Sequence, residues 1–418
     1  MHFFRGVAIK AYLNYFYPAI LHHRAKKVGR KNKIEVVFFA INLAMWRYQG
    51  VYELLSQDEH FNCHIVLTGA RQYSREQRHL NLEILREYFQ SKSIDFIDFD
   101  EKEDKGFDVK AQINPDILFY PQPYENQYVQ NHNFRGFSNK LLCYIPYAIN
   151  VIAEKDSNFV YNTFFHNIAW KLYYPINYNK LEAERIARNH ARNMVVSGYP
   201  NLDYYLSDEF NDVWKIKDRS LKRLIWAPHY SMPSEHNWIT RSNFLWMSDL
   251  MLKIAEQYKD RLQIAFKPHP FLKSRLYQYP GMGKIKTDEY FEKWNSMSNT
   301  FIASEFVDLF KSSDAMIHDC GSFTAEYLFV NKPVAFVATD LQKLKEDHSD
   351  FGRNALSQHY ILQNEEDVYA FINDVVIGGM DPKSSQRTDF YDSVLKPNVS
   401  GTTSKFIVDD MKKSLGLV

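Results

Sequence analysis

The chain reads as an α/β protein with two parallel-sheet domains facing a cleft and a basic amphipathic helix at its N-terminus. Three observations predict this. Short apolar runs alternate with helical patterns, as βαβ units do. The alternation breaks once, over a polar stretch at residues 207–222, and then restarts. At 418 residues the chain is long for one domain and comfortable for two. Its 45% hydrophobic and 16% aromatic content supplies apolar mass for two cores.

In the first half, buried-strand runs fall at residues 34–41, 63–67, 94–99, 116–120 and 141–145, with a short one at 194–197. Helical patterns cover 52–56, 75–90 and 180–193. The restart gives strands at 224–227, 262–266, 315–317 and 334–337, with helices at 245–258, 308–312, 367–376 and 404–415. The expected segments are a basic N-terminal piece (1–33), a first α/β domain (34–206), a linker (207–222), a second α/β domain (223–384) and a helical tail (385–418).

Eight basic residues precede the first acidic one, Glu35. Within them Phe4, Ala8, Ala11, Tyr12, Tyr15 and Phe16 recur at helical spacing. The segment reads either as a helix lying on an anionic membrane surface or as a packed helix followed by a solvated basic linker. No uncharged run reaches the ~18 apolar residues of a span, and no signal-peptide pattern is present. The three cysteines, Cys63, Cys143 and Cys320, form no CxxC pair and no zinc spacing, which fits a reducing, cytoplasmic compartment. The expected location is the inner face of the plasma membrane, held peripherally. A net charge of +1 argues against a nucleic-acid partner.

Polar clusters follow the predicted strands of the second half. His229 follows one, Lys267 and His269 (in Lys-Pro-His-Pro) a second, and Asp319 a third. In open parallel sheets, ligands bind beyond the carboxyl ends of strands, so these residues are expected on one edge. Lys267 offers a point charge to phosphate oxygens. His269 is either a hydrogen-bond donor to phosphate or a general acid. Gly321, Ser322 and Thr324 open a helix, where backbone N–H groups and hydroxyls hold anions; a plain serine N-cap has the same signature. Asp319 either binds a donor hydroxyl or orients the turn. Glu326 either reaches a ribose or is an acidic residue favoured near a helix N-terminus. These features suit a diphosphate-linked donor. The first half then supplies the acceptor site, with Tyr144, Tyr147 and His166 as candidates. His166 is either the base for an acceptor hydroxyl or a packed core residue.

No GxGxxG fingerprint, GxxxxGK[ST] loop, GxSxG elbow or HExxH pair occurs. No metal or other cofactor is required, because Lys267 and a helix N-terminus can neutralise a diphosphate.

Four segments carry a resemblance: Trp226-Ala227-Pro228-His229, Lys267-Pro268-His269-Pro270, residues 313–322 around His318-Asp319-Cys320-Gly321-Ser322, and Gly198-Tyr199-Pro200-Asn201-Leu202-Asp203. In order and spacing the chain resembles the CDP-glycerol glycerophosphotransferases of teichoic-acid and capsule synthesis over about residues 34–415. The resemblance implies a glycosyltransferase-B architecture of two Rossmann-like domains. It also implies transfer of glycerol phosphate from CDP-glycerol to a hydroxyl of a cell-surface polysaccharide or lipid-linked glycan. His269, Gly321 and Ser322 would then hold the donor diphosphate. The family's Trp-His-Gly element, whose histidine is its proposed base, corresponds here to Tyr144-Ile145-Pro146-Tyr147, and Cys320-Gly321 replaces the family's Tyr-Ser. Two alternatives stay open: a glycosyltransferase using a CMP-sugar or UDP-sugar, similar to bacterial sialyl- and Kdo-transferases, and a non-catalytic scaffold subunit.

Overall fold

The computed structural model describes residues 9–102, 104–153, 157–232, 242–303, 306–396 and 399–418. The chain divides into two compact units. Unit 1 comprises residues 1–148, 154–203 and 394–418, and unit 2 comprises 149–153 and 204–393.

Unit 1 holds β1 (Ile34–Ala40), β2 (Phe61–Leu67), β3 (Ile117–Tyr120), β4 (Leu141–Tyr144), β5 (Lys171–Tyr174) and β6 (Met194–Val196), in the order β2-β1-β3-β4-β5-β6. Unit 2 holds β7 (Lys222–Ala227), β8 (Leu262–Phe266), β9 (Thr300–Ile302), β10 (Ala315–His318), β11 (Val334–Val337) and β12 (Tyr360–Leu362), in the order β12-β11-β10-β7-β8-β9. All pairings are parallel. Consecutive residues of β3, β10 and β11 are buried, so both sheet faces are covered. That is why these strands read as unbroken apolar runs rather than alternating ones.

Several expected elements differ. Residues 94–99 form no strand, only a single bridge between Ile97 and Val66. The Asp98 carboxylate accepts the Phe99 N–H there (2.8 Å). Strands β5, β9 and β12 were not expected. They have three or four residues, and β9 and β12 are the sheet edges, where short strands leave few backbone groups unpaired and little sequence pattern. The helix expected over 180–193 ends at Ile186. Beyond it His190 and Ala191 adopt positive φ (51° and 50°), and the Asn189 side chain accepts the Ala191 N–H.

The expected linker is part of unit 2. Trp214, 1% exposed, donates from Nε1 to Ser312 Oγ (3.0 Å), and buried Arg223 pairs with Asp212 (2.9 Å). The Lys311 ammonium donates to the carbonyls of Tyr204, Ser207 and Glu209. One buried indole and two cations that satisfy strap carbonyls and a carboxylate turn a polar segment into a packed strap.

The tail is divided between the units. The helix Ser384–Phe390 stays in unit 2, where Arg387 pairs with Asp381 (2.5 Å). The C-terminal helix Thr403–Leu415 belongs to unit 1. It buries Ile407, Val408, Met411 and Leu415. Both Asp203 oxygens accept its first N–H groups, from Thr403 (2.6 Å) and Ser404 (2.8 Å). An anionic cap on a helix N-terminus is the favourable end of the dipole. The aspartate of the Gly-Tyr-Pro-x-x-Asp element is therefore structural.

At the other terminus, a π-helical turn (Tyr12–Phe16) leads into the helix Tyr17–Val28. Phe4 and Ala8 lie outside the described residues. Leu13, Tyr17, Leu21, Ala25 and Val28 face the core of unit 1, and Tyr17 donates to the Ile168 carbonyl (3.0 Å). Gly29 ends this helix against the C-terminal one: a Cβ there would stand 2.3 Å from the Leu415 carbonyl oxygen, so only glycine fits. Tyr12, Tyr15 and Phe16 lie on another face and stay exposed.

Candidate active site

The site in unit 2 follows from register. Strand β7 is central, flanked by β10 and β8. Ala227 pairs with His318, and Trp226 with Phe266. In-register parallel strands end together, so His229, Lys267 and Asp319 emerge on one edge. The His269 N–H donates to the Pro228 carbonyl (3.1 Å), tying the β8 turn to the β7 turn.

The imidazoles of His229 and His269 have centroids 5.4 Å apart. Hydrogen bonds assign both tautomers. His269 Nδ1 accepts the Phe271 N–H (3.1 Å), and His229 Nδ1 accepts the Ser231 N–H (3.3 Å). Accepting there, each ring carries a proton on Nε2. Burial, then the nearby His229 and Lys267, pushes His269 down to about 3. Its role is that of a neutral donor rather than an imidazolium acid. Lys267 is buried beside it. The Tyr230 ring lies 4.3 Å from His229 and 4.4 Å from His269.

Asp319 is fully engaged by the protein. Oδ1 accepts the His229 N–H (2.5 Å) and Oδ2 the Asn243 N–H (2.5 Å). It is a brace between three segments, which is the turn-orienting role. Burial raises its carboxyl to about 6, against those backbone bonds. Thr324 is also turned inward: it is fully buried and donates to the Cys320 carbonyl (3.2 Å). Cys320 packs its thiol on the Ala227 carbonyl (3.3 Å), and burial pushes that thiol up. Glu326 is buried and accepts from Tyr205 (3.5 Å), so it is held in the core. Gly321 and Ser322 form the turn beside this edge. Ser322 is exposed and makes no side-chain cap, so the N-cap reading does not hold for it. The helix it opens, Phe323–Glu326, has four residues before a 3-10 turn, too short for the full dipole the sequence suggested.

Unit 1 offers less. His166 is buried with both ring nitrogens engaged. Nδ1 completes a capping box with Thr163, and Nε2 meets the Tyr174 hydroxyl (3.1 Å). It is a core residue, not an accessible base. Tyr144 is buried among Phe165, His166 and Tyr174. Tyr147 is 37% exposed, and its carbonyl accepts from Arg47 (3.2 Å) and Tyr199 (3.1 Å).

Burial depresses several histidines, which sets an acid limit. His132 falls to about 4, and His166 and His359 to about 3, below the ordinary 6.5. Unfolded, each takes a proton that the folded chain refuses. Their stability contribution is present above pH 6.5 and is lost as pH falls towards 4, by up to about 1.4 kcal/mol per pH unit each. Asp319 acts oppositely between about 6 and 3.8 but is outnumbered. The melting temperature is expected to fall steadily from pH 7 to pH 4.5. A flat profile over that range contradicts the buried neutral histidines.

The sequence reading missed Tyr230, Ser231 and Asn243. Tyr230 was signalled by its place after Pro228-His229. Asn243 carried no signal, because its N–H reaches Asp319 only through folding.

A sequence model of the family "CDP-Glycerol:Poly(glycerophosphate) glycerophosphotransferase" matches residues 164–396, more than half of the chain and all of the unit 2 cluster. The chain belongs to this family. It is a CDP-glycerol glycerophosphotransferase-like transferase. Among solved structures, a UDP complex of MnaA from S. aureus is similar at TM-score 0.59, with 14% identity over 93% of this chain and 98% of that one. A UDP-GlcNAc 2-epimerase from Methanocaldococcus jannaschii gives 0.55, with 14% identity over 91% and 99%. A variant of the wall teichoic acid polymerase TagF gives 0.56, with 14% identity over 96% and 93%, and another TagF structure was soaked with CDPG. At these identities the shared property is the glycosyltransferase-B fold. No curated protein matches this glycerophosphotransferase-family chain. Among its described residues no helix is long and apolar enough to cross a membrane.

Proposed function

We propose that the protein transfers glycerol phosphate from CDP-glycerol to a hydroxyl of a cell-surface polysaccharide, capsule or teichoic-acid type, or of a lipid-linked glycan. The observation that carries this is the set of donors at the ends of β7 and β8. Lys267 and two Nε2–H imidazoles, His229 and His269, lie near one another beyond those strand ends, a set of groups that suits a diphosphate. In this reading the acceptor oxygen attacks the β-phosphorus of CDP-glycerol. The bond from that phosphorus to the bridging oxygen breaks, CMP leaves, and the hydroxyl proton passes to a base on the acceptor side. Charge builds on the phosphoryl and bridging oxygens, and preorganised donors there stabilise the transition state. No cofactor besides the donor is needed.

The reading includes peripheral attachment to the inner, anionic face of the plasma membrane through the N-terminal helix. The support is its exposed face: Tyr15 is 72% and Phe16 64% exposed, beside Tyr12 and Ile20. Aromatic residues flanked by Lys26 and Lys27 suit a lipid interface.

Incubation with CDP-glycerol, CMP-sugars and UDP-sugars tests the donor. CMP release from CDP-glycerol, dependent on an acceptor glycan, is expected. UDP release from a UDP-sugar, or CMP release only from a CMP-sugar, overturns the proposal in favour of a glycosyltransferase. No release and no thermal shift with any nucleotide overturns it in favour of a scaffold.

A further inference from the structure

Unit 1 has a groove of about 340 Å³ between the N-terminal helix and the body, with the end of the C-terminal helix along one side. It is remote in the chain from the residues of the donor site. Its lining carries His22, Lys26, Lys171, Arg192 and Lys413 and not one carboxylate. Asp410 neutralises Lys171 (2.8 Å). No carboxylate pairs with Lys26, Arg192 or Lys413 among the described residues. Tyr17 and the largely buried Trp170 add an apolar wall.

The groove continues into the exposed aromatic face. The Arg192 guanidinium stands 5.7 Å from the centre of the Tyr15 ring. Tyr12, Tyr15, Phe16 and Ile20 are all exposed on the helix that forms the wall, an apolar patch with no covering partner in the described structure. A concave groove whose charged lining residues are all basic, bordered by exposed aromatics, matches an amphiphile with an anionic head. The head seats among the ammonium and guanidinium groups, and the rings enter the acyl boundary.

We infer that this groove seats the phosphate headgroup of an anionic phospholipid. This deepens the membrane reading above and rests on it, but adds a specific site rather than diffuse attraction.

Vesicles of neutral phosphatidylcholine, with and without about a third phosphatidylglycerol, test it by sedimentation with the full chain. Arg192 and Lys413 are exposed, so R192E/K413E is expected to fold, with an unchanged melting temperature as the check. Each cation near an anionic surface is worth about fivefold in binding. The double reversal is therefore expected to weaken binding to the anionic vesicles at least about 25-fold, with binding to neutral ones unchanged. K10E/K27E, which reverses two cations of the same segment outside the groove lining, is expected to lose much less. Equal loss in the two variants means diffuse electrostatics and overturns the groove. Wild-type binding retained by R192E/K413E overturns the groove but leaves the membrane reading standing. No vesicle binding by the native protein overturns both. A thermal shift with soluble glycerol phosphate that R192E/K413E abolishes, without any change in vesicle binding, assigns the groove to a soluble phosphate and overturns the lipid.

Discussion

Replacing His269 with alanine is expected to lower kcat for transfer from CDP-glycerol by about 10²–10³-fold, the usual cost of removing one preorganised donor from a developing anion. The expectation rests on the tautomer. The Phe271 N–H fixes Nδ1 as acceptor, so the proton sits on Nε2 of a ring that burial keeps neutral down to about pH 3. A neutral donor predicts two further outcomes. His269→Gln, which keeps an N–H in reach, should recover part of the rate. The pH profile should show no limb from His269 ionisation between 5 and 8. A general acid predicts the reverse: no rescue by glutamine and a falling alkaline limb lost in the variant. Wild-type turnover in His269→Ala would remove the donor site from unit 2. The Ala variant should keep its melting temperature within a few degrees, because the ring makes only one hydrogen bond to the fold among those described.

The second large effect is at Asp319, and it is structural first. Its carboxylate holds the His229 and Asn243 N–H groups at 2.5 Å each. Asp319→Ala leaves two donors near the β7 edge without their acceptor and frees the turn that positions His229. Hydrogen bonds to a charged group contribute about 1.5–3 kcal/mol each, and part of that is regained by hydration. A loss of about 3 kcal/mol, or roughly 6–12 °C in melting temperature for a unit of this size, is expected. The KM for CDP-glycerol should rise about tenfold as His229 loses its anchor. Asp319→Asn should fall between, since its amide keeps one oxygen acceptor but turns an N–H₂ towards the other donor. An alanine variant with native melting temperature and a selectively lost affinity would mean that Asp319 touches the donor after all.

These two residues show what was legible. His229, Lys267, His269 and Asp319 each follow an apolar run, and sequence alone placed them beyond strand ends. Their convergence needed only in-register parallel strands, which the βαβ rhythm implies. What each side chain does was not legible. Asp319, Thr324, Glu326 and His166 are polar residues at plausible positions, and each is engaged inside the protein instead. Sequence spacing does not reveal this, because the partners of Asp319, Asn243 and His229, lie 76 and 90 residues away.

The termini give the same lesson from the other side. Helical spacing identified the N-terminal and C-terminal helices. Yet the stripe singled out near the N-terminus includes the exposed Tyr12, Tyr15 and Phe16, while Leu13, Tyr17 and Leu21 do the packing. A helix with two apolar stripes does not declare which one faces inward. Composition likewise marked residues 207–222 as a linker, but Trp214 and the cations Arg223 and Lys311 fold it onto unit 2.

The sequence by itself determined two parallel sheets, the strand ends that bear the polar cluster, and the family, because period and order along the chain are local properties. Only the tertiary structure decided which polar groups face a ligand and which are consumed in bracing, and that the last helix crosses back to complete unit 1. The reason is physical: burial, tautomer and hydrogen-bond partner are set by contacts between distant residues, and a buried polar group takes whichever partner the fold brings within reach.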